Sequence, residues 1–435
     1  MLRVKSYTLL KNNCINKTCY PFKTQMIYNM NSEYFLASNS IKKIICYLLL
    51  FFCSGYVTAQ SSKVDMRQLI DRQYKLAEKQ YRILASNTPI GRMPKTFYAK
   101  SNKFETSDTK WWCSGFYPGS LLYIYEYTKD ETILKEAELR LASLEKEKHY
   151  TGNHDLGFMM YCSFGNAYRL NKKTEYKKTI DTAAASLTTR YRPDAKVIQS
   201  WNSSKKWKGP VIIDNLMNLE LLLWVAQNGG DQKYKEVALN HADATLANHF
   251  RPDFSSYHVV DYDMTNGDVV RKGTAQGASD ESAWSRGQGW ALYGYTMMYR
   301  FTRDQKYLGF AKNIARYILN NPTLPKDKIP YWDFNAKDIP NTYRDASAAA
   351  IIASALLELG QYSSSKDKKY YVAQAKEMLV SLSSDEYTAQ EGSNGGFLLK
   401  HSTGALPLKS EIDVPLTYAD YYYLEALMRY KNWYL

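Results

Sequence analysis

The 435-residue chain lacks most of the signatures on which large enzyme classes depend. Of its six cysteines, Cys14, Cys19, Cys46 and Cys53 fall within the first 60 residues. The remaining two, Cys113 and Cys162, have no metal-ligand spacing, and no HExxH or paired Cys/His pattern accompanies them. No metal site and no cofactor is therefore expected. The two thiols read as buried, with a single disulfide as the alternative in an oxidising compartment. There is no GxSxG elbow and no P-loop, which sets aside the serine hydrolases of that type and the P-loop nucleotide enzymes. Strands with strict alternation are scarce, which excludes a mainly β architecture. The apolar run "IICYLLLFFCSGYV" is 14 residues long, short of the ~20 a membrane span needs.

That run follows Lys42 and Lys43 and precedes "VTAQ". A charged segment, a short apolar core and a small-residue cleavage site make a signal peptide, cut after Ala59. The segment lies far from Met1, and a start at Met30 would give a signal of ordinary length. A lipid anchor on Cys53 is the alternative, although "LFFCS" lacks small residues before the cysteine. Residues 1–59 are accordingly expected to be an N-terminal extension with signal peptide, and 60–435 a single catalytic domain. Export, most simply to the periplasm, follows, without stable membrane insertion after cleavage. The whole chain carries a net charge of +14; its first 60 residues hold seven Lys or Arg and one Glu, so the rest keeps +8. A basic surface favours an anionic partner. Export and the absence of a nucleic-acid-binding motif point away from nucleic acid and toward acidic polysaccharide. Aromatics make up 14% of residues, with 38 Tyr and 9 Trp, a composition that suits sugar faces as well as a large core.

What the chain has in abundance is helical periodicity, and it comes in pairs. "FYPGSLLYIYEYTKDETILKEAELRLASLEKE" reads as one helix, a turn at Lys129-Asp130, and a second helix. Four further segments repeat the plan, among them "GQGWALYGYTMMYRFTRDQKYLGFAKNIARYILN". Repeated helical hairpins mean a stacked or closed array. In each pair the first helix is almost uncharged and the second carries charge on one face. A helix apolar on most sides is buried on most sides, so the first is inner and the second outer. "PLTYADYYYLEALMRY" supplies a sixth inner helix, and "RQLIDRQYKLAEKQYRILAS" its outer partner. The expected fold is all-α, a closed (α/α)6 barrel. Inner helices then run the same way, and their N-termini meet at one mouth. Trp111, Trp112, His154, Asp155, Asp214, Arg286, Trp290, Asp345 and Asp413 lie near those N-termini. Convergent polar and aromatic groups in a concavity make a ligand site.

Asp214 sits behind Val211-Ile212-Ile213 in "PVIIDNLMN". Asp is a favoured N-cap, yet a cap on an inner helix must also be desolvated. Burial raises a carboxyl pKa, and a second carboxylate nearby raises it further. Asp214 and Asp155 therefore read as a pair suited to acid/base work on a sugar, with Asp214 both cap and proton donor. Of the six histidines, His154 and His258 are candidate site residues, while His241 and His249 fall on an outer helix and read as surface residues. The long segment from Asp253 to Ala283 carries His258 and Gln276, and loops of this length are often lids. Arg286 offers a fork for a carboxylate, or an ion pair to Asp280 or Glu281. Trp290 either stacks on a sugar or fills the core.

"NHDLGFM", "IIDNLMN", "GTAQG", "WSRGQGWALYG" and "EIDVPLTYADYYYLEAL", in that order, resemble the unsaturated glucuronyl hydrolases of glycoside hydrolase family 88. The match runs from about Trp112 to Tyr430. The resemblance implies an enzyme that acts on lyase-generated oligosaccharides ending in a 4,5-unsaturated uronic acid. It protonates the vinyl ether at C4, adds water at C5 and releases the next sugar as the hemiketal collapses. The resemblance implies that Asp214 is the acid/base and Asp155 the second essential carboxylate. It assigns substrate contacts to Trp112, His258, Gln276, Arg286 and Trp290, with Trp201 near another such aromatic; His154, beside Asp155, joins them. The segment "KHSTGALPLKSEID" lies where family members meet the next sugar and any sulfate on it, with Ser402 and Lys409 as candidate contacts. Glycosaminoglycan, gellan and ulvan fragments all fit as substrates. The alternatives are an unsaturated rhamnogalacturonyl hydrolase, an inverting glycosidase on the same fold, or a non-catalytic acidic-glycan-binding protein.

Overall fold

Among the described residues, twelve helices follow one another so that an outer and an inner one alternate. The computed structural model describes residues 64–435; the leader, its four cysteines and the expected cleavage site lie outside them. Helix α1, Met66–Asn87, is capped by Asp65, whose carboxylate accepts from the Arg67 and Gln68 amides. Its buried residues include Leu69, Ile70, Tyr74, Ala77, Tyr81 and Leu84, spaced three and four apart as an outer helix with one apolar stripe requires. Then come α2 (Phe116–Thr128), α3 (Glu131–Leu144), α4 (a π-helical Gly157–Gly165 running on into α-helical Asn166–Asn171) and α5 (Thr174–Thr188). Next are α6 (Asn215–Gln227), α7 (Lys233–Asn248), α8 (Ser285–Thr302) and α9 (Gln305–Leu319). The last are α10 (Ala346–Gln361), α11 (Ser365–Leu382) and α12 (Thr417–Tyr434).

The even-numbered helices form the inner ring. Each packs on the next, and α12 packs back on α2, so the ring closes. The odd-numbered helices cover it from outside, with α1 against α12 and α2. Every residue of α10 from Ala346 to Gly360 is buried, as its almost uncharged sequence requires; its one charged residue, Glu358, pairs with Arg300 and Arg429. The repeated turn has a shared mechanism. Lys129, Lys172 and Arg303 end α2, α4 and α8 in the left-handed conformation, which turns the chain sharply. Asp130 and Asp304 then cap α3 and α9 with their carboxylates. The expected six-hairpin barrel is the observed one.

Short antiparallel strands sit among the helix connections. β1 (Met93–Tyr98) pairs with β2 (Lys103–Ser107), and β3 (Tyr191–Arg192) with β4 (Val197–Ile198). β5 (Pro210–Ile212), β6 (Val259–Tyr262) and β7 (Val269–Gly273) make a three-stranded sheet, and β8 (Ser402–Ala405) pairs with β9 (Ser410–Val414). The segment expected as a lid is thus largely a hairpin. It is tied to β5 by the pairing of Val211 with Val260 and by an apolar cluster of Val211, Val260 and Tyr262. Two further expectations change. His241 and His249 are fully buried: His241 Nδ1 accepts the Ile198 amide and His249 Nε2 meets the Val211 carbonyl, so both pin the inner connections. Cys113 and Cys162 are free thiols. Among the described residues no helix is long and apolar enough to cross a membrane.

Candidate active site

The inner-helix N-termini converge on a cleft of about 210 Å³. Trp111 and Trp112 enter it ahead of α2, His154 and Asp155 ahead of α4, and Asp214 ahead of α6. Arg286 from α8 and Tyr418 from α12 complete the ring, while Trp201, Gln276 and Glu411 come from connections. Two glycines let the helix ends approach this closely. A Cβ on Gly115 would lie 2.2 Å from the Phe158 and Met159 carbonyl oxygens, and one on Gly157 would lie 2.4 Å from the Asn218 Cα. A larger hollow of about 390 Å³ opens at the opposite mouth, among the inner C-termini. Its arginines are already engaged: Arg300 with Glu220 and Glu358, Arg429 with Glu358, and Arg169 with Glu126.

Asp214 occupies the N-cap position of α6 but does not cap it. Its backbone is helical and its side chain makes no capping hydrogen bond. The sequence reading of Asp214 as a cap is thus corrected: Ile213 lies between the strand and the helix, and the carboxyl swings into the cleft. Asp155 and Asp214 are each only 7% exposed. Burial pushes Asp214 up to about 7; the Arg286 guanidinium opposes this and the Asp155 charge adds to it. Burial likewise pushes Asp155 up to about 7, against Arg190 and the Asn218 amide.

Each carboxyl faces a neutral histidine. The Ala275 and Gln276 amides donate to His258 Nδ1 at 3.0 and 3.2 Å. An Nδ1 that accepts leaves the proton on Nε2, which stands 3.8 Å from Asp214 Oδ2. Ser200 Oγ accepts the Ile212 amide and lies 3.4 Å from His154 Nδ1. His154 Nε2 is 3.3 Å from Asp155 Oδ1. Burial lowers both histidines to about 3, which keeps both rings neutral near neutral pH.

Arg286 is held through its two terminal nitrogens. It pairs with Asp345 at 2.7 Å and donates to the Thr403 and Gly404 carbonyls. Its guanidinium stacks over Trp284, 4.4 Å from the ring centroid, with Tyr418 at 5.2 Å. The ion-pair partner is therefore Asp345 and not Asp280 or Glu281. Asp280 instead accepts the Thr274 amide, and Glu281 faces Arg251. Gln276 lines the cleft and donates to the Gly404 carbonyl.

The candidates divide by position. Trp112, His154, Asp155, Trp201, Asp214, Gln276 and Arg286 line the cleft. His258 stands behind Asp214. Trp290 is fully buried against Phe158 and Tyr422, beneath the cleft rather than on its wall. Ser402 is buried in β8, and Lys409 is exposed at the turn between β8 and β9; neither lines the cleft. Asp413 pairs with His401 at 2.6 Å on β9, away from the start of α12. Asn218, Arg190, Ser200 and Glu411 belong to the site although sequence reasoning passed over them. Asn218 lies one turn into α6 from Asp214, but it accepts the Phe158 amide and faces Asp155 on another hairpin, which no local spacing signals.

Residues 89–434 match the glycosyl hydrolase family 88 profile. The chain belongs to glycoside hydrolase family 88. It is 42% identical over 379 residues to an unsaturated glucuronyl hydrolase of Formosa agariphila, covering 86% of this chain and 93% of that one. It is 36% identical over 336 residues to the unsaturated glucuronyl hydrolase of Bacillus sp. GL1, covering 76% and 88%. Among solved structures, an unsaturated glucuronyl hydrolase specific for heparin superposes with a TM-score of 0.81 at 44% identity, over 84% of this chain and 97% of that one. A variant of the Streptococcus agalactiae enzyme complexed with dGlcA-GalNAc6S gives 0.72 at 31% identity, over 84% and 92%.

Proposed function

We propose that this family 88 enzyme removes the 4,5-unsaturated glucuronyl residue from the non-reducing end of lyase-generated acidic oligosaccharides, with Asp214 as the proton donor. The observation that carries this is the pair of buried carboxyls, Asp155 and Asp214, in a small cleft walled by Trp112, Trp201 and Arg286. Asp155 has the better-stabilised charge, facing Arg190 and the Asn218 amide. Asp214 is raised further by that charge, so the proton is assigned to Asp214. It passes to C4 of the vinyl ether, and positive charge develops at C5 and the ring oxygen. A water adds to C5 and returns a proton to Asp214. The C5 hemiketal opens to a ketone, the exposed C1 hemiacetal loses the bond to the next sugar, and that sugar leaves with its hydroxyl restored. Asp155 holds the developing charge, and His258 Nε2 faces the Asp214 carboxylate from 3.8 Å once it has lost its proton.

The test is loss of the unsaturated uronate's ultraviolet absorbance on treating lyase-generated disaccharides. If a saturated glycoside is cleaved while that absorbance persists, the enzyme is an inverting glycosidase of the ordinary kind. Asp214→Asn abolishes turnover and keeps binding; if it leaves turnover intact, the assignment fails. We further propose export, with cleavage after Ala59, on the strength of Lys42-Lys43, the apolar run and "VTAQ". Mass spectrometry of the N-terminus of the cell-derived protein checks it: a chain retaining residues 1–59 refutes cleavage.

A further inference from the structure

Three arginines are buried among the described residues: Arg140, Arg190 and Arg286. Arg140 pairs with Glu136 at 2.6 Å and Arg286 with Asp345 at 2.7 Å. Arg190, 4% exposed, makes no ion pair. All its hydrogen bonds go to neutral oxygens. Nε donates to the Gln199 carbonyl and Nη1 to the Thr151 carbonyl, both at 2.7 Å. Nη1 and Nη2 also donate to Asn202 Oδ1, at 3.2 and 3.3 Å. A buried charge without a counter-charge is costly, and its retention points to a use.

The use lies at the corner that Arg190 braces. Thr151 leads into the segment that carries His154 and Asp155. The stretch from Gln199 to Asn202 carries Ser200, which faces His154, and Trp201 of the cleft wall. Arg190 itself does not line the cleft. It is the one cation among the described residues whose charge lowers the Asp155 carboxyl, and Asp155 in turn steadies the guanidinium. The other groups facing Asp155 bring no positive charge. His154 is neutral, and burial holds the Tyr150 phenol and the Cys113 thiol protonated. Asn218 contributes an amide, and Asp214 is the second carboxyl. Asp214 has an arginine too, but Arg286 is already matched by Asp345 and also faces Glu411. One carboxyl of the pair thus has an unmatched cation behind it and the other a committed one.

We propose that Arg190 is a positioning residue, whose unmatched charge keeps Asp155 the ionised member of the pair and leaves the transferable proton on Asp214. The inference rests on the activity proposed above and supplies the reason for its proton assignment.

The experiment follows kcat/KM against pH on a lyase-generated unsaturated disaccharide, with the wild type, Arg190→Gln and Asn202→Asp. Each profile is scaled to its own maximum, so loss of folded protein does not move it. Without the cation Asp155 gains its proton at higher pH, and the acid limb in Arg190→Gln moves up by about one pH unit or more. Asn202→Asp keeps the hydrogen bonds of the guanidinium but gives it a carboxylate partner. It moves the limb the same way, by less, because position 202 is exposed. A brace without an electrostatic role leaves the limb in place in both variants. A limb unmoved in either variant overturns the inference and leaves the activity standing; if Arg190→Gln yields no folded enzyme, Asn202→Asp decides. A wild type that does not turn over the unsaturated disaccharide overturns the activity, and the inference with it.

Discussion

Replacing Asp214 by Asn is expected to stabilise the protein while it destroys catalysis, and the gain depends on pH. The carboxyl is raised from 3.8 to about 7 by burial. At about 1.4 kcal/mol per pKa unit, ionising it inside the fold costs on the order of 4 kcal/mol more than in the unfolded chain. The sign follows from the direction of the shift. A group whose folded pKa is raised contributes its stability in full below the unfolded pKa, here about 4, and loses it as pH rises to about 7. Asparagine does not ionise, so the variant escapes that loss. Its buried amide gives back ~2 kcal/mol if left without partners. The net gain is thus ~2 kcal/mol above neutral pH and nothing, or a small loss, near pH 5. At ~2.1 cal/mol/K of unfolding entropy per residue, the residues from 64 on give ~0.8 kcal/mol/K, and Tm rises by ~2–3 °C. Thermal melts of both proteins at pH 5 and pH 8 measure it. If the Tm difference is the same at both pH values, or the wild type is the more stable at pH 8, Asp214 is not a strained, proton-holding acid.

Three other outcomes are expected. The kcat/KM profile falls on both sides of a maximum near neutrality, on the alkaline side as Asp214 loses its proton and on the acid side as Asp155 gains one; a profile flat from pH 5 to 9 contradicts the paired roles. Arg286→Lys keeps the charge but loses the fork that joins Asp345 to the Thr403 and Gly404 carbonyls, and it destabilises by about 3 kcal/mol or more in denaturant titrations. Gly157→Ala drives a Cβ to 2.4 Å from the Asn218 Cα, which lowers kcat about a hundredfold through misplacement of Asp155 and lowers Tm; a variant active at wild-type rate refutes the close approach.

The barrel was legible because its causes are local. Helix pairs such as α2–α3 carry their own turn signal in "TKDET", and the contrast between uncharged and one-sided helices assigns inner and outer rings without any tertiary information. The cleft was legible to the extent that parallel inner helices force their N-termini together, which brought His154, Asp155, Asp214 and Arg286 to one place. The misreadings have a common origin in side-chain direction. Asp214 was read as a cap from its position, but one intervening residue, Ile213, turns it into the cleft. His241 and His249 sit on an outer helix and were read as exposed, yet their rings point inward to backbone groups of the inner connections. Trp290 lies one helical turn too deep to reach the cleft.

Periodicity, turn chemistry and the ordered motifs determined the architecture, the family and the identity of the two carboxyls, because each is written in neighbours a few residues apart. The ion-pair partner of Arg286, the His258 tautomer and the proton affinity of Asp214 were decided only by the closed ring. They depend on groups far apart in sequence, such as Arg286 and Asp345, and on burial. Burial belongs to the assembled barrel and to no single segment of it.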